Sequence, residues 1–435
     1  INGAADTGIV GINVADFVMD DSSISQAGDA PNESGIEFVN LSGNSSISDT
    51  EIAFAETNGL DIVNTDVDLN LTLNNVTFRD SQTTNSGGPI NVNGDGGLQF
   101  RSFSTGPGAP VTNIEIIDSD FVRLRTQAIQ IIGDHDSIVS VDIVNNQIDS
   151  EADIGSGIDL NASGTAQFAF NVIGNTVQSR GGNAINVTSF GGADIEGRIN
   201  DNVVTANGIG AGIRVLTQDN GSTAIVEARD NSVTMGTGNG SAAVDAQARF
   251  GNARLDLTLD NNTLDSNPGA LADINITAGS STAGETAQVY ANIINNDVVA
   301  GGPTNLLRLR TADLDGTSDP RIFLQGFVEG GPGLDDDAVA TWNANGNTPV
   351  ATSANINVTQ TGGATAPGAG TALVPDNPLP MPGFAAFDAG DALFLFLDQS
   401  ERHPLSHAFA SPASAFEWSD TDPTISHHYS DLMLL

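Results

Sequence analysis

Apolar, strand-like runs in this chain are repeatedly interrupted by a short polar break, after which the strand resumes. The pattern reads VNNQI at 144–148, IGNTV at 173–177, NDNVV at 200–204, RDNSV at 229–233, DNNTL at 260–264 and INNDV at 294–298. With the last Asn before each resumed run as a marker, Asn146, Asn175, Asn202, Asn231, Asn262 and Asn296 lie 29, 27, 29, 31 and 34 residues apart. A period this long fits a unit of several short strands and turns. Such a unit cannot bury its faces alone, whereas stacked copies share one continuous interior.

Two further classes of run keep step with the markers. AIQII (128–132), GIDL (157–160), AINV (184–187), GIRV (212–215) and AAVDA (242–246) precede their markers at nearly constant distance, 17 or 18 residues from Ile129, Ile158, Ile185, Ile213 and Val244. Directly before the markers lie AQFAFNVI, DIEGRI, AIVEA and ARLDLTL, several of which alternate apolar and polar residues as a half-buried strand does. Weaker copies, GIEFVN, GLDIVN and LTLNNVTF, extend toward the N-terminus. The 44 residues between Asn75 and Ser119 contain STGPGAP and read as a long excursion near 79–118. Gly, Asn, Thr and Val usage argues against a helical solenoid, and a β-sandwich explains the fixed spacing less well.

On these runs and markers the sequence resembles the right-handed parallel β-helix proteins, the pectin-lyase-like superfamily. The resemblance covers residues 1–330 and is clearest at 128–300. It implies an all-β, right-handed parallel β-helix of about ten to eleven coils, each with three parallel strands. It also implies that the six marker asparagines form a structural ladder at a sharp turn between strands. The chemistry is consistent with this, because an Asn side chain satisfies backbone groups at turns and tolerates unusual dihedrals.

The texture changes after NLLRLR (305–310). Residues 331–383 read as a terminal coil followed by a Gly/Pro-rich linker or wrapping arm, since TQTGGATAPGAGTALVPDNPLPMPG punctuates helices and strands alike. Residues 384–435 hold Phe384, Phe387, Phe394, Phe396, Phe409, Phe416, Trp418 and Tyr429, a dense set for a chain with only 5% aromatics. These eight are expected to anchor a docking, capping or assembly segment, by which the chain associates with itself or with other surface proteins.

Charge restricts the partners further. There are 54 Asp and Glu against 14 basic residues, all arginine, for a formal charge of −40. Such a surface repels nucleic acid and anionic membranes and attracts cations. No cysteine is present, which excludes disulfides, a cysteine nucleophile and Cys-ligated zinc. No run is long and apolar enough for a transmembrane helix; FAAFDAGDALFLFL is short and carries acids. The opening INGAADTGIVGINV has neither a start Met nor a signal peptide, as expected for a mature chain or a piece of a longer precursor.

Many proteins that resemble this fold act on polysaccharides, so acid and base clusters matter. Candidates are Asp134, His135 and Asp136; Asp194, Glu196 and Arg198, which alternation places on one strand face; and Asp335, Asp336 and Asp337. None reproduces a distinctive site, and no catalytic residue is assigned. Asp335–Asp337 form the candidate metal position, for a structural Ca2+ at an acidic turn; no cofactor is required, and no regular calcium loop is present. Arg123 with Arg125, and Arg308 with Arg310, are each expected to share a strand face suited to carboxylated glycans or to pairing with acids. His403 with His407 and His427 with His428 lack convincing metal spacing. Asn40, Asn70, Asn75, Asn161, Asn186 and Asn357 match the glycan-acceptor pattern.

The leading functional expectation is an extracellular, secreted or cell-surface structural protein that forms or decorates a fibre, adhesin or matrix. A polysaccharide lyase or glycoside hydrolase is the main alternative, and a glycan-binding surface or phage-like appendage module the third.

Overall fold

The computed structural model describes residues 1–375 apart from 29–32, 82–95, 107, 151–154, 281–283, 300–301, 303–304, 313–318, 328–332 and 362–366. The eight aromatic residues expected to anchor a terminal segment, and the four histidines near them, lie outside the described residues.

The chain winds as a right-handed parallel β-solenoid. It visits three sheets in rotation, and every strand pairs in parallel with its counterparts one coil away. Sheet 1 has twelve strands, from Ile9–Ile12 to Ile356–Thr361; sheet 2 has twelve, from Val18–Asp20 to Gly368–Ala369; sheet 3 has ten, from Ser23–Ser25 to Asp297–Val298. Ten coils therefore carry all three strands. No helix among the described residues is long and apolar enough to cross a membrane.

Register turns the sequence period into apolar columns. Ile129, Ile158, Ile185, Ile213, Val244 and Ile274 stack in sheet 1. Phe121, Ile148, Val177, Val204, Val233 and Leu264 stack in sheet 3. All twelve are essentially buried. Each column repeats the same contact between neighbouring coils, so the core needs few aromatics. Where a large ring enters a column, its neighbour shrinks: a Cβ on Gly197 would lie 2.2 Å from the carbonyl oxygen of Phe170 and 2.5 Å from its ring. Phe78 and Phe121 instead stack face to face, centroids 4.9 Å apart.

Two expectations about the path of the chain change. The interval read as an excursion near 79–118 contains the regular strands Leu98–Phe103 and Val111–Ile117, in register with Leu60–Thr65 and with Leu69–Asn74. These strands continue the regular coil, with 18 residues between Arg79 and Leu98 and seven between Phe103 and Val111, of which 82–95 and 107 lie outside the described residues. The acidic run at 335–337 is not a loop but the first turn of the helix Leu334–Ala344, where carboxylates favour the positive end of the helix dipole. Ala338 and Trp342 of this helix join the core beside Ala291, Ile293, Leu307 and Leu324. The helix thus completes the interior where the sheet 2 strand Arg321–Leu324 stops short.

Candidate functional site

The turn between sheets 2 and 3 places its two residues in opposite environments. The first has left-handed backbone and faces outward: φ is 59° at Asn145, 68° at Gly174, 58° at Asp201, 56° at Asp230 and Asn261, and 54° at Asn295. Only Asn, Asp and Gly occupy this position, as that conformation demands. The second residue is the marker asparagine, no more than 2% exposed at all six positions.

These asparagines sit one above another. The Asn175 Oδ1 accepts both the backbone N–H (2.8 Å) and the Nδ2–H (3.0 Å) of Asn146, whose Nδ2 also donates to the Ile116 carbonyl at 2.9 Å. The same pair of bonds links Asn175 to Asn202, Asn202 to Asn231, Asn231 to Asn262 and Asn262 to Asn296, all at 2.9–3.1 Å. The column runs on to Asn347, which Asn296 reaches at 2.9 and 3.0 Å. At the other end, the Ser119 N–H donates to Asn146 Oδ1 at 2.8 Å, and the Val76 N–H to Ser119 Oγ at 3.0 Å. A buried amide column with its donors and acceptors paired carries no titratable group and holds the turn in place.

The acid and base candidates are tied up individually. Asp134 accepts from Arg101 at 2.7 Å and from the Ser163 hydroxyl at 2.5 Å. Burial raises its pKa, but the Ser163 bond and the Arg101 charge outweigh burial and hold it below the usual carboxylate range. His135 is exposed, with Nδ1 3.1 Å from Asp134, and Asp136 accepts from Thr165. Asp194, Glu196 and Arg198 do face outward on one strand, where Arg198 donates to the Pro375 carbonyl at 2.9 Å and Asp194 accepts from Thr223. Asp335 Oδ1 accepts the Val358 N–H at 2.8 Å, and Asp337 is buried in the helix. Among the described residues, no group of three or more His, Cys, Asp or Glu is placed to hold a metal ion.

Arg123 and Arg125 do not share the face of a straight strand. The register shifts between Val122 and Leu124 because Arg123 has left-handed backbone (φ 52°), and its guanidinium forks onto Asp80 with two bonds of 2.6 Å. The Arg123 bonds overcome partial burial and, with Arg79, lower the Asp80 pKa. Arg308 and Arg310 do both point outward from sheet 1.

The outer face of sheet 1 carries a polar row that the sequence did not reveal. Asn58 donates to Gln99, Gln99 to Gln130, Gln130 to Asp159 and Asn186 to Asp159, at 2.7–3.1 Å. Further along, Asn275 donates to Asp245 at 2.7 Å and Arg308 to Asn275 at 3.1 Å. Apart from Asn58, the members share one repeat position on successive coils but differ in residue type, so no single residue marks the row along the chain. Asn347 was missed because the helix stretches its interval from Asn296 to 51 residues, although NGNTPV resembles the other markers. The segment ending at Pro375 crosses the outer face of sheet 2: Ala372 N–H donates to Asn292 and Leu373 N–H to Asp256, at 3.0 and 2.9 Å.

Comparison with protein-family models, curated proteins and solved structures finds no match to this sequence. The β-solenoid is accordingly read from the chain itself, through its period, its register and its three parallel sheets.

Proposed function

We propose that this chain is an extracellular structural protein, whose solenoid forms or decorates a cell-surface fibre, adhesin or matrix. The observation that carries this reading is the outer polar row of sheet 1. Its side chains spend their hydrogen bonds on the next coil, from Asn58 through Gln99 and Gln130 to Asp159 and Asn186. Groups arranged to react with a substrate converge in a cleft with functional groups left free. Groups paired coil to coil stiffen a rod and fix its surface pattern. Twelve coils at the ~4.8 Å spacing of paired strands make a rod of about 55 Å. In this role the partners are further copies of the chain or other surface proteins, met at the coil ends, with glycans as a second class of contact.

Negative-stain imaging of the purified chain across protein and salt concentrations tests the proposal. Rods joined end to end are expected, and persistent single particles under every condition would sink it. Release of new reducing ends or unsaturated products from a polysaccharide panel would favour an enzyme instead.

A further inference from the structure

The arginines are not treated alike. Among the described residues, at least eight arginines lie 3.9 Å or less from a carboxylate. Arg249, Arg308 and Arg310 form no ion pair among the described residues, yet all three face outward from sheet 1, Arg249 on Val244–Arg249 and the other two on Leu307–Ala312, with Ile274–Ala278 between them. Register places Arg214, Asp245, Asn275 and Arg308 in one row, and Leu216, Gln247, Thr277 and Arg310 in the next, with Arg249 two residues beyond Gln247.

Among the described residues, the carboxylates beside these arginines are already engaged. Asp245 accepts from Asn275 and from Gln247, both at 2.7 Å, and Glu285 is buried against the backbone N–H and hydroxyl of Ser280. Three buried atoms of this patch lack a hydrogen-bond partner among the described residues: the Nε of Arg214, the Nε of Arg249 and the Oε1 of Gln247, a residue 6% exposed. Burial is the main influence lowering the Arg249 pKa; the Arg214 and Arg310 charges lower it further, against Asp245 and Glu285. On a chain of charge −40, anions are repelled nearly everywhere, so guanidiniums with no carboxylate partner among the described residues are a costly exception.

We propose that this patch binds a sulfated sugar, its sulfate ester between Arg249 and Arg310 above Thr277 and a hydroxyl donating to Gln247 Oε1. Arginines on different coils approach from different directions, which suits the tetrahedral oxygens of a sulfate better than the single plane of a carboxylate. The orphaned amide oxygen requires a donor, which a bare inorganic anion lacks and a sugar hydroxyl supplies. This site is independent of the proposed structural role and would stand on a monomer.

Calorimetric titration of the full chain with a sulfated oligosaccharide, its desulfated parent and inorganic sulfate tests the site. Saturable binding of the sulfated sugar is expected, at least tenfold tighter than the desulfated parent, with inorganic sulfate competing at higher concentration. The double variant Arg249→Gln/Arg310→Gln should lose at least tenfold in affinity, whereas Arg229→Gln, which breaks an ion pair on sheet 2, should retain it. Equal affinity for the sulfated and desulfated sugars, or unchanged binding by a folded double variant, overturns the proposal. Should the double variant not fold, failure of inorganic sulfate to compete with the wild-type chain overturns it equally.

Discussion

The turn between sheets 2 and 3 and the turn between sheets 3 and 1 join strands of the same solenoid under opposite rules. The first is two residues long at every coil from 21–22 to 295–296. The second ranges from four residues at 125–128 to 18 at 80–97. The turn between sheets 1 and 2 also varies, from three residues at 135–137 to nine at 279–287. Drift in the marker spacing therefore arises entirely outside the asparagine turn. One corner is specified atom by atom, and the other two absorb insertions, the usual property of surface loops.

Breaking the rule at the fixed corner should have the largest effect. A single glycine inserted between Asp201 and Asn202 either expels the amide from its column or shifts Val203–Ala206 by one residue. The shift would turn Val204 from the core to solvent. The expected loss exceeds about 4 kcal/mol, read from the midpoint of denaturant unfolding; a loss below ~1 kcal/mol would show that the corner is not specified.

Substitution separates the two residues of that corner. Asn202→Ala strips the Asn175 N–H of its acceptor and removes the donor to the Val172 carbonyl, both buried. The expected cost is about 3 kcal/mol. Asp201→Gly, one residue earlier, keeps the left-handed backbone and loses an exposed side chain, so its effect should stay within ~0.5 kcal/mol. Equal effects would dissolve the distinction between the buried and exposed halves of the turn.

The same contrast explains what could be read in advance. The period is legible because one corner takes only Asn, Asp or Gly at its first position, with a buried Asn at its second in the six successive copies from 146 to 296. The fold class follows from that mark and the alternation of the strands beside it. The helix Leu334–Ala344 leaves no such mark, because it enters at the corner once and has no second copy to compare. Alternation puts Arg123 and Arg125 on one face only for an extended backbone, which the left-handed residue at 123 breaks. Gln247 and Arg249 leave no signal for another reason: their surroundings are built from residues one and two coils away, such as Thr277 and Arg310, 30 and 63 residues from Gln247 in sequence.

A pH scan sharpens the comparison on the outer face. Asp61 stacks directly on Glu37 in sheet 1, and burial, with the Glu37 charge, pushes its pKa up to about 7 against a hydrogen bond from Asn58. Because the folded value lies above the unfolded one, the folded state holds the proton longer. The contribution is full below pH 4 and fades as pH rises through about 7. Stability should fall across that window, and Asp61→Asn should flatten the slope. An unchanged slope in the variant would assign it to other groups.

The smallest effect is expected at an open turn between sheets 3 and 1. In the turn 236–243, a Cβ on Gly238 would meet nothing within 4 Å, while Asn239 is buried with its Nδ2 donating to the Gly210 carbonyl at 2.8 Å. A Gly-Ser pair inserted between Thr237 and Gly238 therefore lengthens the open tip and leaves the Asn239 bond in place. Loop-closure entropy rises only slowly with length, so the cost should stay below ~1 kcal/mol by the same unfolding measurement. The adjacent coils should keep their register, since the strands Ser232–Met235 and Val244–Arg249 are fixed by their own ladders. A loss comparable to that from the single glycine at 201/202 would mean that both corners constrain the coil equally, with turn length in the copies varying for reasons unrelated to stability.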